Sequence, residues 1–372
     1  MINELQYRVG SNTTYSKVEA AALAHGDFSK VYFNFMDSTF LNHSWVRPLE
    51  SWDDLMKRRC YQLREKYNYL CLWFSGGWDS TTVLETFIKH GIKLDEIAIY
   101  DRTYFDGDTE VASAVEYAKS VKAHHMSDVK ISLIPIKPEH SHQVYEKYGD
   151  QWIFTPGCSL MYPKTHRYFI EHELDDTKSI RAENDRRGNI WAHDKSKVLL
   201  YDNKWYAFAA DTSMTPYFNT DCELFFCTAE LPELYILQTH MAIDFFEYMM
   251  LKNKKVDTEL SHNIQGNKVT DEDYKLWNMA QGRTACVDNP SAIYGWLKST
   301  TGHHPLGGEG KKAYLFNKDL NTKSYKIYTD GIKAVEDITG LKIPNSGGPW
   351  LPTLISHKHY VRPLGILDNC VK

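Results

Sequence analysis

Tyr69-Leu70-Cys71-Leu72-Trp73-Phe74-Ser75-Gly76-Gly77-Trp78-Asp79-Ser80-Thr81-Thr82 is the stretch on which the fold is decided. Its first six residues are apolar without a break. A run of that length fits a strand buried on both faces, as in a parallel sheet. A turn with two consecutive glycines follows. From Thr81 to His90, Val83, Leu84, Phe87 and Ile88 recur at helical spacing, and Gly91 stands where a C-terminal cap belongs.

The pattern continues outward on both sides. Upstream, Ser51 can cap a helix running to about Lys66. Downstream, Glu96 to Asp101 reads as a second strand. Asp108 or Thr109 can cap a helix bearing Val111, Ala114, Val115 and Ala118. Val129 to Ile136 reads as a third strand. Strand, helix, strand, helix, strand in this order predicts an α/β fold: a Rossmann-like parallel sheet, right-handed crossovers, helices on both faces.

Beyond residue 150 the signals thin out. Pro163 to Leu174 can be helical. Val198–Tyr201 and Trp205–Phe208 flank Asp202-Asn203-Lys204 and predict a hairpin, with Asn203-Lys204 a poor turn. Leu231 to Leu251 has an amphipathic pattern, with Leu234, Leu237, Met241, Phe245 and Tyr248 in steps of three and four. Asp271–Gln281 and Asp330–Thr339 are shorter helix candidates, and 302–312 and 345–352 are Gly/Pro-rich loops. The predicted division is an N-terminal segment with a lead-in helix (1–67), a core (68–175), and a mixed α+β, mostly helical region with the hairpin (176–372).

The 372 residues are 42% hydrophobic and 13% aromatic, enough to build a sizeable core. A net charge of -5 argues against a generally basic nucleic-acid binder and leaves room for a local basic groove. The seven cysteines contain no C-x-x-C pair. Reduced structural thiols in a cytoplasmic protein are the expectation. The first 20 residues lack an apolar signal core, and no run approaches the roughly 20 apolar residues of a membrane span.

The turn itself carries chemistry. It lies between a buried strand and a helix start, where backbone N–H groups lack internal partners and the helix dipole is positive. Gly76 and Gly77 let the backbone approach an anion closely. Ser75, Ser80 and Thr81 add hydroxyl donors, making a phosphate cradle. The P-loop pattern G-x-x-x-x-G-K-[ST] is missing, as is the dinucleotide fingerprint G-x-G-x-x-G.

Ser75-Gly76-Gly77-Trp78-Asp79-Ser80 resembles the Ser-Gly-Gly-x-Asp-Ser signature of the PP-loop ATP pyrophosphatases, and the resemblance covers roughly residues 68–175. It implies an enzyme that cleaves ATP to AMP and pyrophosphate. A carboxylate or carbonyl substrate would be adenylated, and an amine or ammonia would then displace AMP. The resemblance gives Ser75 to Thr81, including Trp78, a role in holding pyrophosphate. It makes Asp79 the residue that orients the loop or a Mg²⁺ shell, and sets Tyr100 and Asp101 beside the adenosine. The acceptor would be a small molecule or a modified nucleotide or base, with homo-oligomerisation open.

The branches of that family differ in what surrounds the loop. Asparagine synthetases carry a glutaminase domain with a cysteine nucleophile at position two, but residue 2 here is Ile. The 7-cyano-7-deazaguanine synthases match through Thr82 but add a zinc-binding cysteine cluster. Cys222, Cys227, Cys286 and Cys370 lack its spacing. The sulfonucleotide reductases share the loop without cleaving ATP, and Gly157 to Lys164 faintly resembles one of their segments. They are the alternative reading, with a non-catalytic nucleotide-binding module as a third.

Other residues have two readings each. Lys164, His166 and Arg167 can bind phosphate or the adenylated acceptor, or form a solvated helix face; Lys164 and Arg167 join Ser75 and Asp79 as the catalytic candidates. Arg181, Arg186 and Arg187 can close over a triphosphate or lie in a solvated loop. Cys158 can be a nucleophile or an incidental thiol. His303 and His304 beside Gly307–Lys312 can touch phosphate or belong to a surface loop. The aromatics between Tyr201 and Phe226 can line a pocket or fill the core.

Overall fold

In β4 (Tyr69–Trp73), Leu70 and Leu72 face one way and Cys71 and Trp73 the other, and all four are buried. A strand buried on both faces must be central. The computed structural model, which describes residues 5–101, 109–135, 143, 145–154, 187–192, 196–201, 204–209, 222–251, 322–340 and 365–368, makes it so.

Before β4 come β1 (Leu5–Val9), β2 (Asn12–Thr14), α1 (Lys17–Leu23), β3 (Val31–Phe35), α2 (Asp37–Phe40) and α3 (Trp52–Lys66). After it come α4 (Trp78–Lys89), β5 (Glu96–Asp101), α5 (Thr109–His124) and β6 (Lys130–Pro135). Then follow β7 (Arg187–Trp191), β8 (Ser196–Tyr201), β9 (Lys204–Ala209), β10 (Cys222–Leu224), α6 (Pro232–Leu251), α7 (Thr322–Thr339) and β11 (Gly365–Asp368).

Five strands form a parallel sheet in the order β10-β7-β4-β5-β6. From β4 the chain steps outward through β5 to β6. It then returns to the other side of β4 with β7 and β10. The sheet therefore does not stop at residue 175: two of its strands come from the 176–372 region. In register, Leu72 lies opposite Ile97 on one side and Ile190 on the other. These residues share a core with Leu55, Met56 and Leu63 of α3, Val83, Leu84 and Phe87 of α4, and Ala114 and Ala118 of α5. The described helices over this sheet thus cover the face of Leu70 and Leu72. The opposite face, with Cys71, Trp73 and Ala98, is also buried.

Local signals account for the elements near β4. The Ser51 side chain accepts the Asp54 N–H and starts α3, with Asp53 and Asp54 in the first turn and Arg64 and Lys66 in the last. The start of α4 lies at Trp78, three residues before the expected Thr81. Gly77 is extended (φ −74°, ψ 167°) and acts as the cap residue, so the motif's Asp79 falls in the first turn.

Ion pairs fasten α3 to the sheet. Arg64 reaches Asp95 Oδ2 at 2.6 Å, and the same oxygen accepts the Leu70 N–H at 2.8 Å. Burial pushes the Asp95 carboxyl up, but Arg64 and the Leu70 N–H outweigh it and hold the group below its usual range. Arg59, fully buried, binds Glu223 at 3.1 Å, Glu230 at 2.8 Å and the Leu224 carbonyl at 2.7 Å. Lys66 joins both carboxylates at 2.6 Å, and the Tyr67 hydroxyl donates to Glu223. α3 thereby holds both ends of the turn that leads from β10 into α6.

Residues 5–40, unassigned from sequence, form a three-stranded antiparallel sheet β2-β1-β3 with α1 and α2. Its core joins Leu224, Cys227 and Tyr235. α6 was expected to be amphipathic, yet Leu234 to Thr239 are buried without interruption. The reason is that two cores meet on it: Leu234 and Leu237 face the parallel sheet, and Tyr235 faces the N-terminal sheet.

The expected hairpin exists as β8 and β9, with β11 alongside. Tyr201 pairs with Lys204, so Lys204 belongs to the strand and not to the turn. α7 spans Thr322–Thr339, well before the expected Asp330 start. It packs on α1 and on the 149–154 turn, where Trp152 donates to the Ile327 carbonyl at 3.2 Å. Among the described residues no helix is long and apolar enough to cross a membrane. The candidates at 163–174 and 271–281 and the loops at 302–312 and 345–352 lie outside the described residues.

Candidate functional site

β4 keeps its pairing as far as Phe74, whose N–H donates to the Ala98 carbonyl at 2.8 Å. Then the chain turns. Gly76 takes φ +74°, the left-handed region that favours glycine. Gly77 follows, and a Cβ there would lie 3.2 Å from Ser75 Oγ. Gly76 is favoured by its φ, and a side chain at Gly77 would require Ser75 Oγ to give by a few tenths of an ångström.

Hydroxyl groups close the loop on itself. Ser80 Oγ accepts the Ser75 N–H at 3.2 Å and donates to the Gly77 carbonyl at 3.2 Å. Ser75 Oγ accepts the Gly77 N–H at 3.2 Å and lies 3.2 Å from Ser80 Oγ. The Thr81 N–H donates to the Gly77 carbonyl at 3.0 Å, which fixes the first helical turn. α4 has Gly77 as its cap residue, which brings no side chain to the helix N-terminus. Its first N–H groups and the positive end of its dipole are directed back to the carboxyl edge of the sheet. Such an end suits an anion.

Asp79, Ser80, Thr81 and Thr82 are four consecutive polar residues with 6% exposure or less. In an α-helix neighbours cannot all face one core, so this turn is enclosed on more than one side. Thr86 Oγ1 bonds back to the Thr82 carbonyl at 2.8 Å one turn later.

The location in the sheet matters more than any single contact. β5 lies on one side of β4 and β7 on the other, and the chain reverses its direction of travel between β4 and β7. In open parallel sheets ligands bind at that switch point, outside the carboxyl ends of the strands. The Ser75–Ser80 loop is the turn that leaves the carboxyl end of β4 there. Family models, curated proteins and solved structures yield no match to the chain. The site therefore stands on its own geometry.

Tyr100 and Asp101 end β5, the neighbour of β4, at the same edge of the sheet. Tyr100 lies against Trp73, with ring centroids 4.5 Å apart and planes 39° from parallel. The apolar run alone gives Trp73 no role beyond filling the strand. Its signal was available in the alternation: two residues before Ser75, it faces away from α4, the same way as Tyr100. Of Trp78 the backbone is described, and it opens α4. Lys164 and Arg167 lie outside the described residues, as do His166, Cys158, Arg181, Arg186, His303 and His304; Arg187 begins β7.

Two donor questions bear on Mg²⁺. Among the described residues no group of three or more His, Cys, Asp or Glu side chains gathers. Mg²⁺ bound to a nucleotide needs no such cage, since one or two carboxylates, phosphate oxygens and water complete its shell. Asp79, in the first turn of α4, and Asp101, at the end of β5, are carboxylates at this edge, and their donor chemistry fits.

A separate cleft of ≈ 240 Å³ lies at the opposite, amino-terminal edge, between the turn 91–94 and the turn 125–129. Ile92, Lys93, His125 and Asp128 are among its walls. It is not continuous with the Ser75–Ser80 loop.

Proposed function

We propose that the chain is an ATP-dependent adenylating enzyme of the PP-loop ATP pyrophosphatase type. One observation carries the reading: the Ser-Gly-Gly-x-Asp-Ser loop leaves the carboxyl end of the central strand at the switch point and leads into a helix N-terminus whose cap residue is a glycine. The strand order supports it. Counted along the chain, the described strands run third, second, first, fourth, fifth from β6 to β10, as in the first five positions of the 3-2-1-4-5-6 order of doubly wound nucleotide-binding sheets.

In this proposal the α4 N–H groups and the Ser75 and Ser80 hydroxyls hold the departing pyrophosphate. Asp79, enclosed at the first turn, orients the loop and provides a carboxylate for Mg²⁺, as Asp101 does from β5. Bound Mg²⁺ would neutralise charge that develops on the phosphates. Preorganised donors aimed at that charge are the largest contribution such a site can make. Lys164 and Arg167 are proposed to act on the acceptor, a carboxylate or carbonyl compound attacked by ammonia or an amine.

The test is to incubate the full chain with ATP, Mg²⁺ and panels of carboxylates and amines. The expected products are AMP and pyrophosphate in equal amounts, abolished by Asp79→Asn. ADP and phosphate instead, or products unchanged in Asp79→Asn, would sink the reading. Reduction of a sulfonucleotide without ATP cleavage would favour the reductase alternative.

A further inference from the structure

Phe74 and Glu85 lie on the two arms of the Ser75–Ser80 loop. Phe74 is the last residue before the loop, and its side chain is buried in the core under the helices. Glu85 stands in α4, seven residues after Trp78. At about 1.5 Å of rise per residue it is about 10 Å along the arm that leaves the loop. One side chain of α5 touches both. The Tyr117 ring stacks on the Phe74 ring, with centroids 5.9 Å apart and planes 24° from parallel. The Tyr117 hydroxyl donates to Glu85 Oε1 at 3.0 Å.

Val111, Ala114, Ala118 and Val121 are the stripe of α5 buried in the sheet core, and Tyr117 flanks that stripe, half-buried. Packing alone requires neither the hydroxyl nor the carboxylate. The bond between them fixes the tilt of α4 against β4 instead. The loop's own hydrogen bonds run between Ser75, Gly77, Ser80 and Thr81 and set its internal shape. They do not set the angle between its arms. A helix shifts as a rod, so displacement at Glu85 also moves the N–H groups at the start of α4.

We infer that Tyr117 is a positioning residue: by clamping Phe74 on one arm and Glu85 on the other, it sets the angle at which the first turn of α4 meets a pyrophosphate group. This rests on the function proposed above and adds a residue that acts through the loop's two arms. Binding groups must be held within about 0.5 Å of their productive geometry, so a released clamp is read in affinity.

Equilibrium binding of inorganic pyrophosphate with Mg²⁺ to the full chain, beside urea unfolding of each variant, tests it. Tyr117→Phe keeps the ring and loses the bond, and should weaken pyrophosphate roughly 3- to 10-fold. Tyr117→Leu loses the ring face as well and should weaken it further. Glu85→Leu should match Tyr117→Phe, and the double variant Tyr117→Phe/Glu85→Leu should be no weaker than either, because both remove the same bond. Glu85→Gln, whose amide oxygen still accepts the phenol proton, should bind near the wild-type value. Val121→Ala, at a buried position one turn further along α5, should lower the urea midpoint and leave pyrophosphate affinity unchanged.

Wild-type affinity in Tyr117→Phe would overturn the inference, as would multiplying losses in the double variant or a Glu85→Gln variant as weak as Glu85→Leu. An equal loss of affinity in Val121→Ala would show a merely structural role and also overturn it. In each of those results the wild-type chain still binds pyrophosphate, so the proposed function stands. A wild-type chain that binds no pyrophosphate removes both.

Discussion

Gly76 sits at φ +74° in the turn that joins β4 to α4. A residue with a Cβ pays for that conformation, typically 1–3 kcal/mol outside glycine. Nothing about the strand or the helix alone requires it. What requires it is the closeness of the loop hydroxyls, Ser75 Oγ and Ser80 Oγ, 3.2 Å apart across the turn. Gly76→Ala is expected to lower unfolding stability by about 1–2 kcal/mol in urea titrations. A variant as stable as the wild type would mean that the turn relaxes freely, and the cradle would lose its claim to a fixed shape.

At the scale of elements, the loop is only as fixed as the strand and helices behind it. The start of β4 is held by Asp95, which takes both the Leu70 N–H and Arg64 of α3. The Asp95 carboxyl is displaced downward, so its contribution is present above the unfolded-state pKa near 3.8 and is lost as pH falls through the lower folded value. Asp95→Asn is expected to cost about 2 kcal/mol at pH 7, and the gap to wild type should close as pH falls through that lowered folded value. Urea midpoints across that range measure it; a pH-independent gap would contradict the assignment. Lys66 behaves oppositely. Its burial alone would lower the pKa, but Glu223 and Glu230 raise it, so that contribution persists at neutral pH and fades only in strong alkali.

At the scale of the whole molecule, chain segments far apart in sequence meet closely. A Cβ on Gly365 would lie 2.1 Å from the Trp45 ring, and one on Gly331 would lie 2.4 Å from Trp152 Nε1. Such approaches explain what the sequence concealed. The strands at 69–73 and 96–101 and the cap at Ser51 were legible because their signals are local: an unbroken apolar run, an alternation between turns, a hydroxyl before two carboxylates. β1 was not legible, since its pairing runs from Leu5 to Phe35, and β7 and β10 fall in the predicted 176–372 region yet extend the sheet, β7 beside β4 and β10 beside β7. The Ser75–Ser80 loop was legible as chemistry, whereas the Trp73–Tyr100 contact needed the register between strands.

The whole fold brings one turn to one switch point, and the central claim is that this turn holds pyrophosphate. Calorimetric titration of the full chain with inorganic pyrophosphate and Mg²⁺ tests it most directly. The expected result is one site per chain, competed by ATP and weakened at least about 10-fold, or about 1.4 kcal/mol, by Gly76→Ala. Absence of binding, or binding that ATP does not compete and Gly76→Ala does not weaken, would contradict it.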